Sequence, residues 1–218
     1  EDDFKPRGSQ YKINYAKAYY NQGNTLQELK RFDEALSSYD SAQLIHPKNY
    51  PEAWNNSGNT MQKIGRFDRA LSFYNLAINA KPDYADAYFN KSILLLLLGR
   101  YTEGWQLYQW RFLQEHKTET VRSYQQPLWL GAELLTNKTL LIYIEQGFGD
   151  YIQFIRYALL LERLNVNVIL EVPLTLFGVI RTLKGNFIFI ETGKPLPAFD
   201  YHCPVMSLPL AFKTTLKN

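Results

Sequence analysis

A helical repeat array followed by a parallel α/β domain is the fold class this sequence predicts, and three observations carry it. Small and aromatic residues recur through the first half at steps of 35 and 34 residues. That period is lost near residue 118. Beyond it, short apolar runs rich in strand formers alternate with segments of helical apolar spacing. The expected organisation is a tail over 1–15, about three repeats over 16–117, a linker over 118–132 and the α/β domain over 133–218.

The repeat register is set by Gly23, Gly58 and Ser92. Tyr19, Trp54 and Tyr88 stand four residues earlier, and Ala35, Ala70 and Gly104 twelve later. Tyr39, Tyr74 and Tyr108 follow, then Ala42 and Ala77, then Pro47 and Pro82. Small residues at these positions let two helices approach, and the aromatics fill the remaining gap. Turns fall at Lys30-Arg31-Phe32, Gly65-Arg66-Phe67 and Gly99-Arg100-Tyr101, where a glycine accepts the left-handed conformation that ends a helix. Asp33 and Asp68 open the next helices at their positive ends, and Pro47 and Pro82 stop them. This pattern resembles the tetratricopeptide repeat (TPR) family, which implies helix–turn–helix pairs stacked into a surface that holds another polypeptide.

Asn21, Asn56 and Asn90 recur two residues before the small position, on one face of successive first helices. Asn24 and Asn59 form a second polar row that Ile93 interrupts. An amide both donates and accepts, so such rows suit the backbone of an extended peptide. The alternative is a solvated polar face without a ligand. The first row resembles the asparagine ladder of protein O-linked N-acetylglucosamine transferases, which implies peptide binding by Asn21, Asn24, Asn56, Asn59 and Asn90. The third repeat is degenerate, with Ser92 for Gly, Gly104 for Ala, Arg111 for Ala and no terminal proline. Its aromatics Trp105, Tyr108, Trp110 and Phe112 fit either packing on the next domain or ordinary repeat core.

In the second half, Thr139–Ile144, Val166–Val172, Phe187–Ile190 and Phe199–Cys203 are expected strands. Helices are expected over 150–164 and 173–183, and a helical turn over 206–212. Alternation of this kind means a parallel sheet, whose ligands bind beyond the carboxyl ends of its strands. The first strand-to-helix turn there is Glu145-Gln146-Gly147-Phe148-Gly149-Asp150. A dinucleotide fingerprint with Glu171 as the ribose-binding acid fits poorly. Ile152 replaces its third glycine, and Asp150 sets a negative charge where a pyrophosphate would sit.

Pro127-Leu128-Trp129, this turn, Gln153-Phe154-Ile155-Arg156-Tyr157 and Phe199-Asp200-Tyr201-His202-Cys203-Pro204 together resemble the first half of glycosyltransferases of the GT-B fold. The resemblance is nearest the heptosyltransferases and bacterial proteins that join TPRs to such a domain. It covers most of 127–212 and implies a Rossmann-like domain. It also implies Asp150 as catalytic base, with Gln146, Gly147, Gly149, Arg156 and His202 around the substrate. The other readings are a helix N-cap for Asp150, a surface ion pair for Arg156 and a structural role for His202. His202 and Cys203 are strand neighbours that point to opposite faces and cannot share a site.

A net charge of +3, dispersed along 218 residues, argues against a nucleic-acid surface. No apolar run approaches a membrane span. The single cysteine excludes an internal disulfide and suggests a reducing, cytoplasmic setting. No metal or cofactor is expected. Two function classes remain. One is part of a TPR-linked glycosyltransferase, whose nucleotide-sugar would be held by a second domain in a longer protein, so that this chain alone is inactive. The other is a non-catalytic interaction scaffold.

Overall fold

Each repeat folds as a helix pair because its small residues recur where two backbones must meet. The computed structural model describes residues 7–45, 50–114, 122–145 and 147–217. Pro47, Gln146 and the expected boundary near residue 118 therefore lie outside the described residues. The chain divides into two units, Glu1–Gln114 and Glu115–Asn218. The first contains α1 (Arg7–Glu28), α2 (Phe32–Ile45), α3 (Pro51–Lys63), α4 (Phe67–Ala80), α5 (Ala85–Leu97) and α6 (Tyr101–Tyr108), then a 3-10 turn over Gln109–Leu113.

The fully buried ring of Tyr39 lies on Gly23, and that of Tyr74 on Gly58. A Cβ would sit 2.4 Å from the first ring or 2.5 Å from the second, so only glycine permits this approach. Ala35, Ala42, Ala70 and Ala77 are fully buried, Ala35 in one cluster with Tyr39 and Ala70 in one with Tyr74. Lys30, Gly65 and Gly99 share the left-handed conformation, with φ of 59°, 76° and 75°. The following amides of Arg31, Arg66 and Arg100 then donate to Leu26, Met61 and Leu95 at 2.8–2.9 Å, closing carbonyls that the helix ends would leave open. Asp33 and Asp68 sit in the first turns of α2 and α4, and Pro82 stands two residues past the end of α4, after the C-cap Lys81.

One feature differs from expectation. Helix α1 begins at Arg7, within the stretch expected as a tail. The third repeat's aromatics find partners inside the repeat unit, as ordinary core. Trp110 stacks on Tyr88 at 3.8 Å and 8°, Tyr108 meets Phe89 at 5.5 Å, and Trp105 meets Tyr108 edge-on at 5.6 Å. The Arg111 guanidinium covers Phe112 at 3.9 Å.

The second unit is a four-stranded parallel sheet of β1 (Thr139–Tyr143), β2 (Asn167–Val172), β3 (Phe187–Glu191) and β4 (Tyr201–Pro204), in the order β3-β2-β1-β4. Central β1 and β2 are nearly continuous in buried residues, as strands covered on both faces must be, whereas β3 at the edge is half-exposed. The chain runs outward from β1 to β3 and then returns to the far side of β1.

The expected helix over 150–164 is two helices, α7 (Phe148–Phe154) and α8 (Tyr157–Arg163), separated at Ile155–Arg156 by bonds from Ala158 and Leu159 to residues three back. Its buried face is Tyr151, Phe154, Ile155, Tyr157, Ala158 and Leu161, while Ile152 is 47% exposed. Helix α9 (Leu174–Ile180), a 3-10 turn (Val205–Ser207) and α10 (Leu208–Ala211) complete the unit. Pro127–Trp129, expected within the linker, is bonded to β4: Trp129 N donates to His202 O at 2.8 Å, and His202 N to Pro127 O at 3.2 Å.

Candidate functional site

The first helices of the repeats present amides and apolar side chains to a common groove of about 620 Å³. Its wall carries Gln27 from α1, Asn59 and Gln62 from α3, and Asn90 from α5. Its apolar lining is Phe67, Phe89, Ile93 and Leu97, and Lys63 is its one charged lining residue among those described. Part of that apolar lining follows from the sequence, since the position occupied by Asn24 and Asn59 becomes Ile93 in the third repeat. The groove thus offers hydrogen-bonding amides, an apolar surface and a single positive charge.

The amides also bind the protein to itself. The Tyr39 hydroxyl donates to Asn24 Oδ1 at 2.9 Å, and the Tyr74 hydroxyl stands 2.9 Å from both Asn59 Oδ1 and Gln62 Oε1, which share its one proton. Burial pushes both hydroxyls well above the ordinary tyrosine range, so they remain donors. Asn56 Nδ2 donates to Asn24 Oδ1 at 2.8 Å and to the Tyr20 hydroxyl at 3.3 Å, and Asn90 Nδ2 donates to Asn55 Oδ1 at 3.0 Å. Asn21 is exposed. Of the five asparagines, then, Asn59 and Asn90 line the groove, while Asn24 and Asn56 join the network beneath. Gln27 and Gln62, which also line the groove, lie one helical turn after Asn24 and Asn59 and were missed; their recurrence at one repeat position was the available signal.

In the second unit, Gly147 is the N-cap of α7, so Asp150 is not; it stands in the first turn, half-buried. Gly147 and Gly149 are exposed, and among the described residues nothing outside the adjoining residues and the helix's own backbone lies within 4 Å of where a Gly149 Cβ would be. The Tyr151 hydroxyl donates to Glu171 O at 2.9 Å and ties α7 to the end of β2. Arg156 is exposed at the start of α8, its guanidinium 5.5 Å from the Tyr157 ring centre and away from this turn in sequence.

His202 sits in β4 opposite Leu141 in the middle of β1, 7% exposed, with Nδ1 3.3 Å from the Tyr143 hydroxyl and its ring 4.9 Å from Tyr124. Burial lowers its pKa below the ordinary histidine value, against a hydrogen bond from the imidazole to the Gln126 backbone that opposes the shift. On the same sheet face, Arg122 pairs with the buried Glu171 carboxylate and stands 5.2 Å from the Tyr143 ring centre. Glu171 is thereby committed to a protein cation. The groups expected around one substrate are thus divided between an open turn (Gly147, Gly149, Asp150), a helix surface (Arg156) and a buried aromatic face (His202).

Among the described residues, no group of three or more His, Cys, Asp or Glu is placed to hold a metal, and no helix is long and apolar enough to cross a membrane. The tetratricopeptide repeat family model matches residues 14–83, which spans the first two helix pairs and stops short of α5. Among solved structures, the chain is similar to the first TPR of Spaghetti (RPAP3) bound to HSP90 peptide SRMEEVD. Identity there is 23%, the TM-score 0.44, and the match covers 48% of this chain and 82% of that one. It is similar also to the Arabidopsis OM64 TPR domain, at 17% identity and TM-score 0.45 over 48% and 86%. A third is the TPR2B domain of yeast Sti1 in complex with pHsp70, at 16% and 0.44 over 48% and 83%. Comparison with curated proteins finds no match. The N-terminal region of this chain carries tetratricopeptide repeats.

Proposed function

We propose that the repeat unit holds an extended polypeptide in the groove between α1, α3 and α5. The observation that supports this most is the arrangement of its lining. Amides at Asn59, Gln62 and Asn90 can serve a peptide backbone, while Phe89, Ile93 and Leu97 can desolvate one apolar side chain and Lys63 can meet an acidic group. Fluorescence anisotropy with peptides drawn from an array, each an apolar residue flanked by acidic ones, tests it. Ile93→Lys is expected to weaken binding tenfold or more, since burying one large aliphatic side chain is worth roughly 1.5–3 kcal/mol. Ile152→Lys, on an exposed position of the second unit, leaves binding unchanged. Affinity indifferent to Ile93→Lys would remove the groove from the reading.

For the second unit we propose the acceptor side of a Rossmann-like, GT-B-type glycosyltransferase cleft, with Asp150 as base and Gln146, Gly147 and Gly149 beside the substrate. Support comes from the turn after β1, which leaves its carboxyl end beside β4, where the chain order of the sheet reverses. It comes also from the free space around Gly149. A base must take the proton of the attacking acceptor hydroxyl, and a carboxylate in the first turn of a helix is held ionised and oriented. The 218-residue chain alone is expected to transfer no sugar. Fused to or contained with a nucleotide-sugar-binding domain, it is expected to transfer. There Asp150→Asn lowers kcat by about 100-fold or more, the scale of general base catalysis, without changing the thermal melt. Unchanged turnover in that variant would eliminate Asp150 as base and leave the scaffold reading.

A further inference from the structure

A hollow of about 460 Å³ lies beside α8 in the second unit, within the size range of small-molecule sites. Arg156, Tyr157, Leu160 and Arg163 line it from α8 and the residue before it, and Phe212 and Thr214 line it from the segment after α10. These two sides are tied together. The Tyr157 and Phe212 rings stack at 5.2 Å and 29°, and the Tyr157 hydroxyl is hydrogen-bonded to Thr214 Oγ1 at 2.7 Å. Phe212 is held in turn by its edge-on contact with Trp129. A hollow whose sides are bonded to each other keeps its shape without a ligand, so little freedom is lost when one enters.

Helix geometry places the charges on its rim. Arg156 has helical backbone angles, φ −53° and ψ −26°, so Arg156, Leu160 and Arg163 fall on one face of α8 at spacings of four and three residues. At a rise of roughly 1.5 Å per residue, the two arginines leave the helix about 10 Å apart, with the exposed side of Leu160 between them. Both are exposed, and among the described residues neither meets a carboxylate. The acid on this helix, Glu162, is turned to the Asn186 amide at 2.5 Å. A ligand with one anionic end would leave one guanidinium unanswered, and a small inorganic anion would leave the apolar floor in water.

We propose that this hollow binds an elongated apolar diacid laid along α8, with one carboxylate at Arg156, the other at Arg163, and its chain on Tyr157, Leu160 and Phe212. The planar fork of arginine receives both oxygens of a carboxylate, which suits it to each end. None of the lining residues belongs to the turn after β1 or to the repeat groove. The site therefore stands or falls apart from the functions proposed above.

Isothermal titration calorimetry of the full chain with decanedioate, decanoate and butanedioate tests this. Decanedioate is expected to bind about fivefold or more tightly than decanoate, which lacks the second charge, and than butanedioate, which lacks the chain. Arg156→Gln and Arg163→Gln, both at exposed positions, are each expected to weaken decanedioate about fivefold, to the level of decanoate, with the thermal melt unchanged. Leu160→Asp is expected to weaken it about tenfold or more. Decanedioate that binds no more tightly than decanoate, or equally well in both arginine variants, overturns the proposal. So does a chain that takes none of the three acids and binds only an acidic peptide at this face.

Discussion

Arg122→Ala is expected to destabilise the second unit by about 3 kcal/mol, because it strands a carboxylate inside the protein. Glu171 is 3% exposed at the end of β2, its backbone carbonyl is already taken by Tyr151, and Arg122 is the cation paired with its side chain. A buried ion pair contributes little over two apolar residues, yet removing one member leaves the full desolvation cost of the other. The effect lies at the lower end of the usual range because the Arg122 side chain is itself 31% exposed and water can reach its place. Urea unfolding, with hydrogen exchange read over β1 and β2, measures it. Arg122→Ala/Glu171→Gln should recover more than half the loss, since the neutral amide no longer needs the cation. A single variant within about 0.5 kcal/mol of wild type, the scale of an ordinary surface substitution, would mean that the pair carries no such role.

That pair also marks where the sequence stops being readable. Arg122 and Glu171 are 49 residues apart, and no local pattern links an arginine after the repeats to an acid at a strand end. The repeats are legible because each substitution is made at least twice: Gly23 and Gly58 meet Tyr39 and Tyr74 in the same way, and the left-handed turns fall at one position. Asn24 and Asn59 show the limit even within a repeat. Recurrence placed them on one helix face, but an asparagine has the same spacing whether it faces a ligand or a tyrosine hydroxyl fifteen residues on. In the second half each feature occurs once. The strands were visible as apolar runs, whereas the helix break at Ile155–Arg156 has no glycine or proline to announce it. Pro127–Trp129 read as linker because the strand it joins, β4, begins at Tyr201.

Gly131, next to that joined segment, should be among the least replaceable residues of the second unit. Its φ is +93°, a conformation that side-chain-bearing residues rarely adopt, and a Cβ there would lie 2.3 Å from Ala211 O and 2.8 Å from Ala211 Cα. The obstacle is helix backbone, which cannot rotate aside as a flexible side chain would. Strain and overpacking together set the expected cost of Gly131→Ala at about 3–5 kcal/mol. Relief would require α10 to move away, unseating Phe212 from its edge-on contact with Trp129 at 5.9 Å and disturbing the Trp129 Nε1 bond to Glu133 O. Gly149→Ala is the informative contrast. Among the described residues, nothing beyond its own helix backbone and neighbours lies within 4 Å of a Cβ at that glycine, which stands in the first turn of α7, so alanine there should leave stability unchanged or raise it by about 0.5–1 kcal/mol through the unfolded chain. Thermal melts of the two variants, followed by tryptophan fluorescence, therefore separate a glycine that packing requires from one that packing does not. A tolerated Gly131→Ala would show that the 127–131 segment can leave α10 without loss. A destabilised Gly149→Ala would mean that the turn after β1 is already filled by protein, and would leave no room there for an acceptor.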